Sequence, residues 1–158
     1  MIGLIAVALL TNMVGSLPDK SKTPGQFDPA YSRAKLCAPD FHTSAIRNVS
    51  DVTKTKVYSS YKMGADKPPC PCEVDHLGPL ELGGTNDQSN LWPQPYAPPG
   101  NAKEKDILEN KLHEDMCAGI IGLPQAQQEI TTDWVASYNK HVAPLSQQEH
   151  DRLLKEQF

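Results

Sequence analysis

Residues 72–109 read CEVDHLGPLELGGTNDQSNLWPQPYAPPGNAKEKDILE, and the fold turns on this stretch. A short run over 72–77 ends in the adjacent Asp75 and His76. Gly83-Gly84 and Asn86-Asp87 supply turn backbone, and Asn90 then stands beside the apolar Leu91-Trp92. Pro93, Pro95, Pro98 and Pro99 make the next segment an irregular arm, and Asn101 is a good helix N-cap. The pattern predicts two short strands, 72–77 and 90–94, and a helix from 102 to about 117. Ile107, Leu108, Leu112 and Met116 form that helix's apolar face, and Gly119 ends it.

Working outward, Ser50-Asp51 caps a predicted helix carrying Val57, Tyr58 and Tyr61 on one side and Lys54, Lys56 and Lys62 on the other. Residues 31–49 read as a mixed loop with one short helical turn, and 17–30 as a flexible linker rich in Pro, Gly and charge. Pro124 opens a last helix with Leu123, Ala126, Ile130, Trp134 and Tyr138 on its apolar face. Residues 144–158 are a polar tail. The uninterrupted apolar run 2–10 is too short for a transmembrane helix and suits a signal peptide over 1–16, with a short N-terminal anchor as the alternative. The expected location is therefore outside the cytoplasm, periplasmic or extracellular, of bacterial type.

The length of 158 residues suits one domain with a real core, placed at 31–143 with its centre at 72–117. A net charge of -4 argues against a non-specific DNA-coating protein. Its distribution is uneven: residues 18–69 hold nine Lys/Arg against five Asp/Glu, residues 70–158 six against fourteen. Four cysteines in an exported chain lean toward disulfides, and a Cys37–Cys117 bridge would tie the front segment to the central stretch. Cys70 and Cys72 are too close for a C-x-x-C zinc pair. His42, His113, His141 and His150 show no ligand spacing and receive no role.

Asp75 and His76 together suit phosphodiester chemistry. A carboxylate is a hard ligand for Mg²⁺ or Mn²⁺, and an imidazole that titrates near neutrality can take a proton from water. Neighbouring side chains on a strand point to opposite faces, so the pair converges on one phosphate only where the strand bends, and Gly78-Pro79 offers such a break. Arg47, Lys54 and Lys56 are the phosphate-contact candidates.

Asp-His, a Gly-Gly turn, Asn-Leu and a helix headed by Asn and carrying Lys together resemble the HNH endonucleases of the ββα-metal type. The longer stretch VDHLGPLELGGTNDQSNLWPQ, with KDILENKLHEDMCAGII and AQQEITTDW, is similar to small exported bacterial HNH-type proteins. The resemblance implies an α+β fold, a ββα-metal core (short antiparallel hairpin plus helix) packed with additional helices. It implies an endonuclease, a hydrolase of nucleic-acid phosphodiester bonds, with His76 as general base and Asn90 bracing the loop that carries it. Asp75 and Asn101 would hold one divalent cation, Mg²⁺ or Mn²⁺, with Zn²⁺ as the alternative. The implied partner is DNA ahead of RNA, joined by an immunity protein if the chain is a toxin. One departure is that Asn101 and Lys105 are one residue further apart than the usual H/N-x-x-K. This departure keeps a second reading open, an inactive ββα scaffold that binds nucleic acid or protein.

Overall fold

The computed structural model describes residues 17–63, 70–97 and 101–156. The expected leader over 1–16 and the prolines 98 and 99 lie outside these. The architecture is α+β, with five helices and one two-stranded antiparallel hairpin among the described residues. Strands β1 (Cys72–His76) and β2 (Leu91–Pro95) pair with Asp75 opposite Trp92 and His76 opposite Leu91. Side chains alternate along a strand, so Glu73, Asp75, Trp92 and Gln94 share one face and Val74, His76 and Leu91 the other.

The two faces meet different helices. Helix α3 (Ala102–Ala118) reaches the Asp75 face through Lys105, and helix α2 (Asp51–Ser60) lies against β2. Both start where the sequence places their caps: Ser50 accepts from Thr53 N–H, and Asn101 forms a capping box with Glu104. Gly119, at φ 77°, ends α3 in the left-handed conformation. Helix α4 (Leu123–His141) packs along α3, and Ile130 and Trp134 join Leu77, Leu82, Trp92, Leu108, Leu112 and Met116 in one core. Asp133 leaves helical geometry within α4, and its carboxylate accepts from Ala136 N–H (2.9 Å), recapping the second half.

Two segments are better anchored than their composition predicts. Residues 17–30 form a strap across the hairpin's loop instead of a flexible linker. Thr23 is fully buried, donates to the Leu91 carbonyl (2.9 Å) and meets the Tyr61 hydroxyl (2.8 Å), while Phe27 bridges to Gly84. The polar tail contains α5 (Gln147–Leu153), which buries Leu153 completely and receives a hydrogen bond from Asn110 Nδ2 at the Leu153 carbonyl (2.7 Å). In both cases a few buried side chains outweigh a polar average.

Cys37 closes the short helix α1 (Arg33–Leu36) and is bonded to Cys117 on α3, as the sequence suggests. A bridge closing a sequence separation of 80 removes unfolded-chain entropy worth roughly 4 kcal/mol. Cys70 and Cys72 form a second disulfide. Among the described residues no helix is long and apolar enough to cross a membrane.

Candidate active site

His76 ends β1 and is only 2% exposed. Its Nε2 lies 3.1 Å from Asn86 Oδ1. The Asn86 amide is oriented by two backbone groups, since Asn48 N–H donates to Oδ1 (3.1 Å) and Nδ2 donates to the Ile46 carbonyl (2.9 Å). The atom facing His76 is therefore an acceptor, so Nε2 carries the ring proton and Nδ1 the lone pair. Burial pushes the imidazole below its ordinary value, and the nearby Arg47 and Lys105 charges push the same way, against Asp75 and the Asn86 bond. At neutral pH the ring is an uncharged base with a defined tautomer.

Asn86 does a second thing. By holding Ile46 and Asn48 it fixes the segment that carries Arg47 beside His76. Arg47, Lys54, Tyr58, Glu73, Val74, His76 and Tyr96 line one cleft of about 540 Å³ between α2 and the hairpin. Two of the three expected phosphate contacts thus share a cleft with the base. Lys56 instead lines a separate groove with Val52, Thr55 and Gln88. Alternate positions of a helix face different ways, which separates Lys54 from Lys56.

Asn90 is fully buried and braces the loop from four sides. Its Oδ1 accepts from Gly78 N–H (2.8 Å) and Gln26 N–H (3.0 Å), and its Nδ2 donates to the carbonyls of Gly78 and Thr85 (both 2.8 Å). Gly84 must be glycine here, because a Cβ would come within 1.8 Å of the Gly78 carbonyl. Asn90→Asp, which turns two donated bonds into acceptor–acceptor contacts, is expected to destabilise the fold by roughly 3 kcal/mol or more, read from urea unfolding.

Asp75 faces the other way. Its Oδ2 accepts from Lys105 Nζ (2.7 Å), which also donates to the His76 carbonyl (2.6 Å) and pairs with Glu109. Lys105 is completely buried; burial alone would lower its pKa, but Asp75 and Glu109 hold it above the ordinary lysine range. Burial pushes the Glu109 carboxyl well up, and likewise Glu81. The strand keeps its alternation through His76, so Asp75 and His76 serve opposite faces and the break at Gly78-Pro79 does not bring them together.

Asp106, one residue on from Lys105, was not singled out from the sequence. Burial first, and then the Asp75 charge, push its carboxyl up to about 7. A carboxyl that keeps its proton in the fold up to about 7, and loses it near 4 when unfolded, costs stability above pH 7 and progressively less toward pH 4. Asp106→Asn is therefore expected to raise Tm at pH 8, with the gain shrinking toward pH 4 in a thermal series.

The expected cation at Asp75 and Asn101 fails a structural test. Asp75 gives an oxygen to Lys105, and Asn101 Oδ1 accepts from Glu104 N–H (3.0 Å) as the helix cap. As folded, these two residues do not fit a divalent ion. Among the described residues the one clustered group of three His, Cys, Asp or Glu side chains is Cys37, His113 and Cys117; its two cysteines are bonded to each other as folded, so it could hold a metal ion only once they are reduced. Comparison with protein-family models, curated proteins and solved structures returned no match.

Proposed function

We propose that this protein is an HNH-type endonuclease, exported from a bacterial cell, that cleaves phosphodiester bonds of nucleic acid in the cleft between α2 and the hairpin. On this reading β1, β2 and α3 are the ββα-metal core. The observation that carries the reading is the placement of an uncharged, tautomerically defined His76 in one cleft with the cations Arg47 and Lys54. His76 Nδ1 takes a proton from the attacking water as its oxygen bonds to phosphorus and the P–O3′ bond breaks, the leaving oxygen takes a proton from solvent, and Arg47 and Lys54 hold the phosphate and balance the charge that grows on it. Mg²⁺ or Mn²⁺ is the cation the resemblance implies, and Asp75 and Asn101, which would hold it, are engaged by Lys105 and the α3 cap.

Digestion of plasmid DNA and of RNA by wild type and His76→Ala, each with Mg²⁺, Mn²⁺ or EDTA, tests the reading. Cleavage that depends on His76 supports it, and equal cleavage by the variant overturns it. Loss of the wild-type activity in EDTA would show that a divalent cation is required, and loss of that dependence in Asp75→Asn would place it at Asp75. Arg47→Ala and Lys54→Ala are each expected to raise KM and to reduce the salt slope of binding by about one, while Lys56→Ala leaves both unchanged.

One observation favours the alternative of an inactive scaffold that binds nucleic acid or protein. The buried ammonium of Lys105 already satisfies the carboxylate that would otherwise hold the metal. That reading expects binding without turnover in every arm of the same assay.

A further inference from the structure

We propose that Cys37, Cys117 and His113 form a redox-gated site for a zinc-class cation, closed while the cysteines are bridged and opened when a dithiol reduces them. Among the described residues, this is the one group of three such side chains whose ligand atoms all lie within 4.8 Å of one another. It is assembled from two elements. His113 and Cys117 stand one turn apart on the same face of α3, and Cys37 is delivered by the end of α1.

The spacing already suits an ion. His113 Nε2 lies 3.6 Å from Cys117 Sγ. A tetrahedral zinc, with bonds of about 2.3 Å to sulfur and about 2.0 Å to nitrogen, separates such a pair by about 3.5 Å. The two sulfurs must part, to about 3.8 Å, and Cys37 Sγ, within 4.8 Å of the other two ligand atoms, must settle at about 3.5 Å from Nε2. The group lines a cavity of about 460 Å³ with Phe41, His42 and Glu114, which admits the ion and a water as fourth ligand. Phe41 stacks on the His113 ring at 6.5 Å and holds its plane. His113 is buried within this group.

The chemistry balances in two steps. A dithiol donates two electrons and two protons to the Cys37–Cys117 bond, becomes a disulfide itself and leaves two thiols. The cation then displaces both thiol protons, and the two thiolates cancel its charge, so the partly buried site carries no net charge. Nε2 donates to the Leu36 carbonyl (3.1 Å) in the bridged state, so ligation through Nε2 breaks that bond, and the ring gives up its Nε2 proton to solvent and takes one up at Nδ1. Soft thiolates with an imidazole select zinc over Mg²⁺ or Mn²⁺, which makes this site independent of the hydrolytic reading.

The test uses the full chain, oxidised or reduced with dithiothreitol and freed of it without air, titrated with Co²⁺ and then Zn²⁺. The reduced protein is expected to bind one ion per chain with a thiolate-to-Co²⁺ charge-transfer band, and the oxidised protein to show none. Bound Zn²⁺ should protect Cys37 and Cys117 from alkylation, mapped by mass spectrometry, while Cys70 and Cys72 react. His113→Ala should weaken binding by at least about tenfold, since even supporting shells are worth that much. If reduction unfolds the chain, Zn²⁺ must restore its helical circular dichroism. Absence of the band, protection of Cys70 and Cys72 instead, unchanged affinity in His113→Ala, or failure to refold would each overturn the proposal.

Discussion

His76→Ala is expected to lower the rate of phosphodiester cleavage by about 10²–10⁴-fold, the contribution of a positioned general base. The measurement is single-turnover cleavage of a labelled DNA or RNA by folded variant and wild type, matched by circular dichroism. Asn86→Ala is the informative companion, since it leaves the imidazole but removes the group that holds its proton on Nε2 and ties Arg47 alongside. The pH profile of kcat/KM carries the same argument. Burial holds His76 below its usual value of 6.5, so the acid limb should lie below 6.5 rather than on it. Stability should follow a related course. The folded ring resists the proton that the unfolded chain accepts, so the stability it confers is present above 6.5 and is lost as pH falls through the lower folded value. An acid limb above 6.5 would remove His76 as the base of this mechanism.

Lys105→Met is expected to produce the largest loss of stability, about 3–5 kcal/mol, read from the midpoint of urea unfolding at constant slope. The methionine fills most of the volume, so the loss measures charge rather than a cavity. Without the ammonium, Asp75 and Glu109 are left buried beside each other, and the pair keeps its charge only at the cost of desolvation or sheds it by protonating Glu109, whose carboxyl burial already pushes up. Adding Asp75→Asn and Glu109→Gln to Lys105→Met should recover much of the loss, because the uncompensated charge is gone. A loss below about 1 kcal/mol for the single variant would mean that the trio is solvated and that Asp75 is open to a metal after all. The same variants probe the resemblance to the ββα-metal enzymes, because Lys105 puts its positive charge on the carboxylate that a divalent cation would need.

Much of the local structure is legible from residues 72–109 alone. Gly83, at φ 81°, and Gly84, pressed against the Gly78 carbonyl, enforce the turn, and Asn101 starts its helix through a capping box that is visible as Asn-x-x-Glu. Period and caps act over one turn, so short-range reasoning recovers them. The strap over 17–30 is not legible in this way. Thr23 is anchored by Leu91 and Tyr61, both far away in sequence, and no local pattern announces such partners. His113 carries a local sign, the four-residue step to Cys117, but Cys37 joins them from about eighty residues away, and no ligand spacing within one segment shows the group.

The candidate site divides along the same line. That an aspartate, an imidazole and a loop-bracing asparagine occur together is written in the order Asp75, His76, Asn90. Their allocation to opposite faces of the hairpin belongs to the tertiary structure. Asp75 went to Lys105 because burying an ammonium demands carboxylates within reach, and α3 carries Lys105 to that face. His76 went to the Arg47 cleft because Asn86 was held by two backbone groups of a segment some forty residues earlier. Strand alternation set the choice between faces, and packing decided which face received the charge.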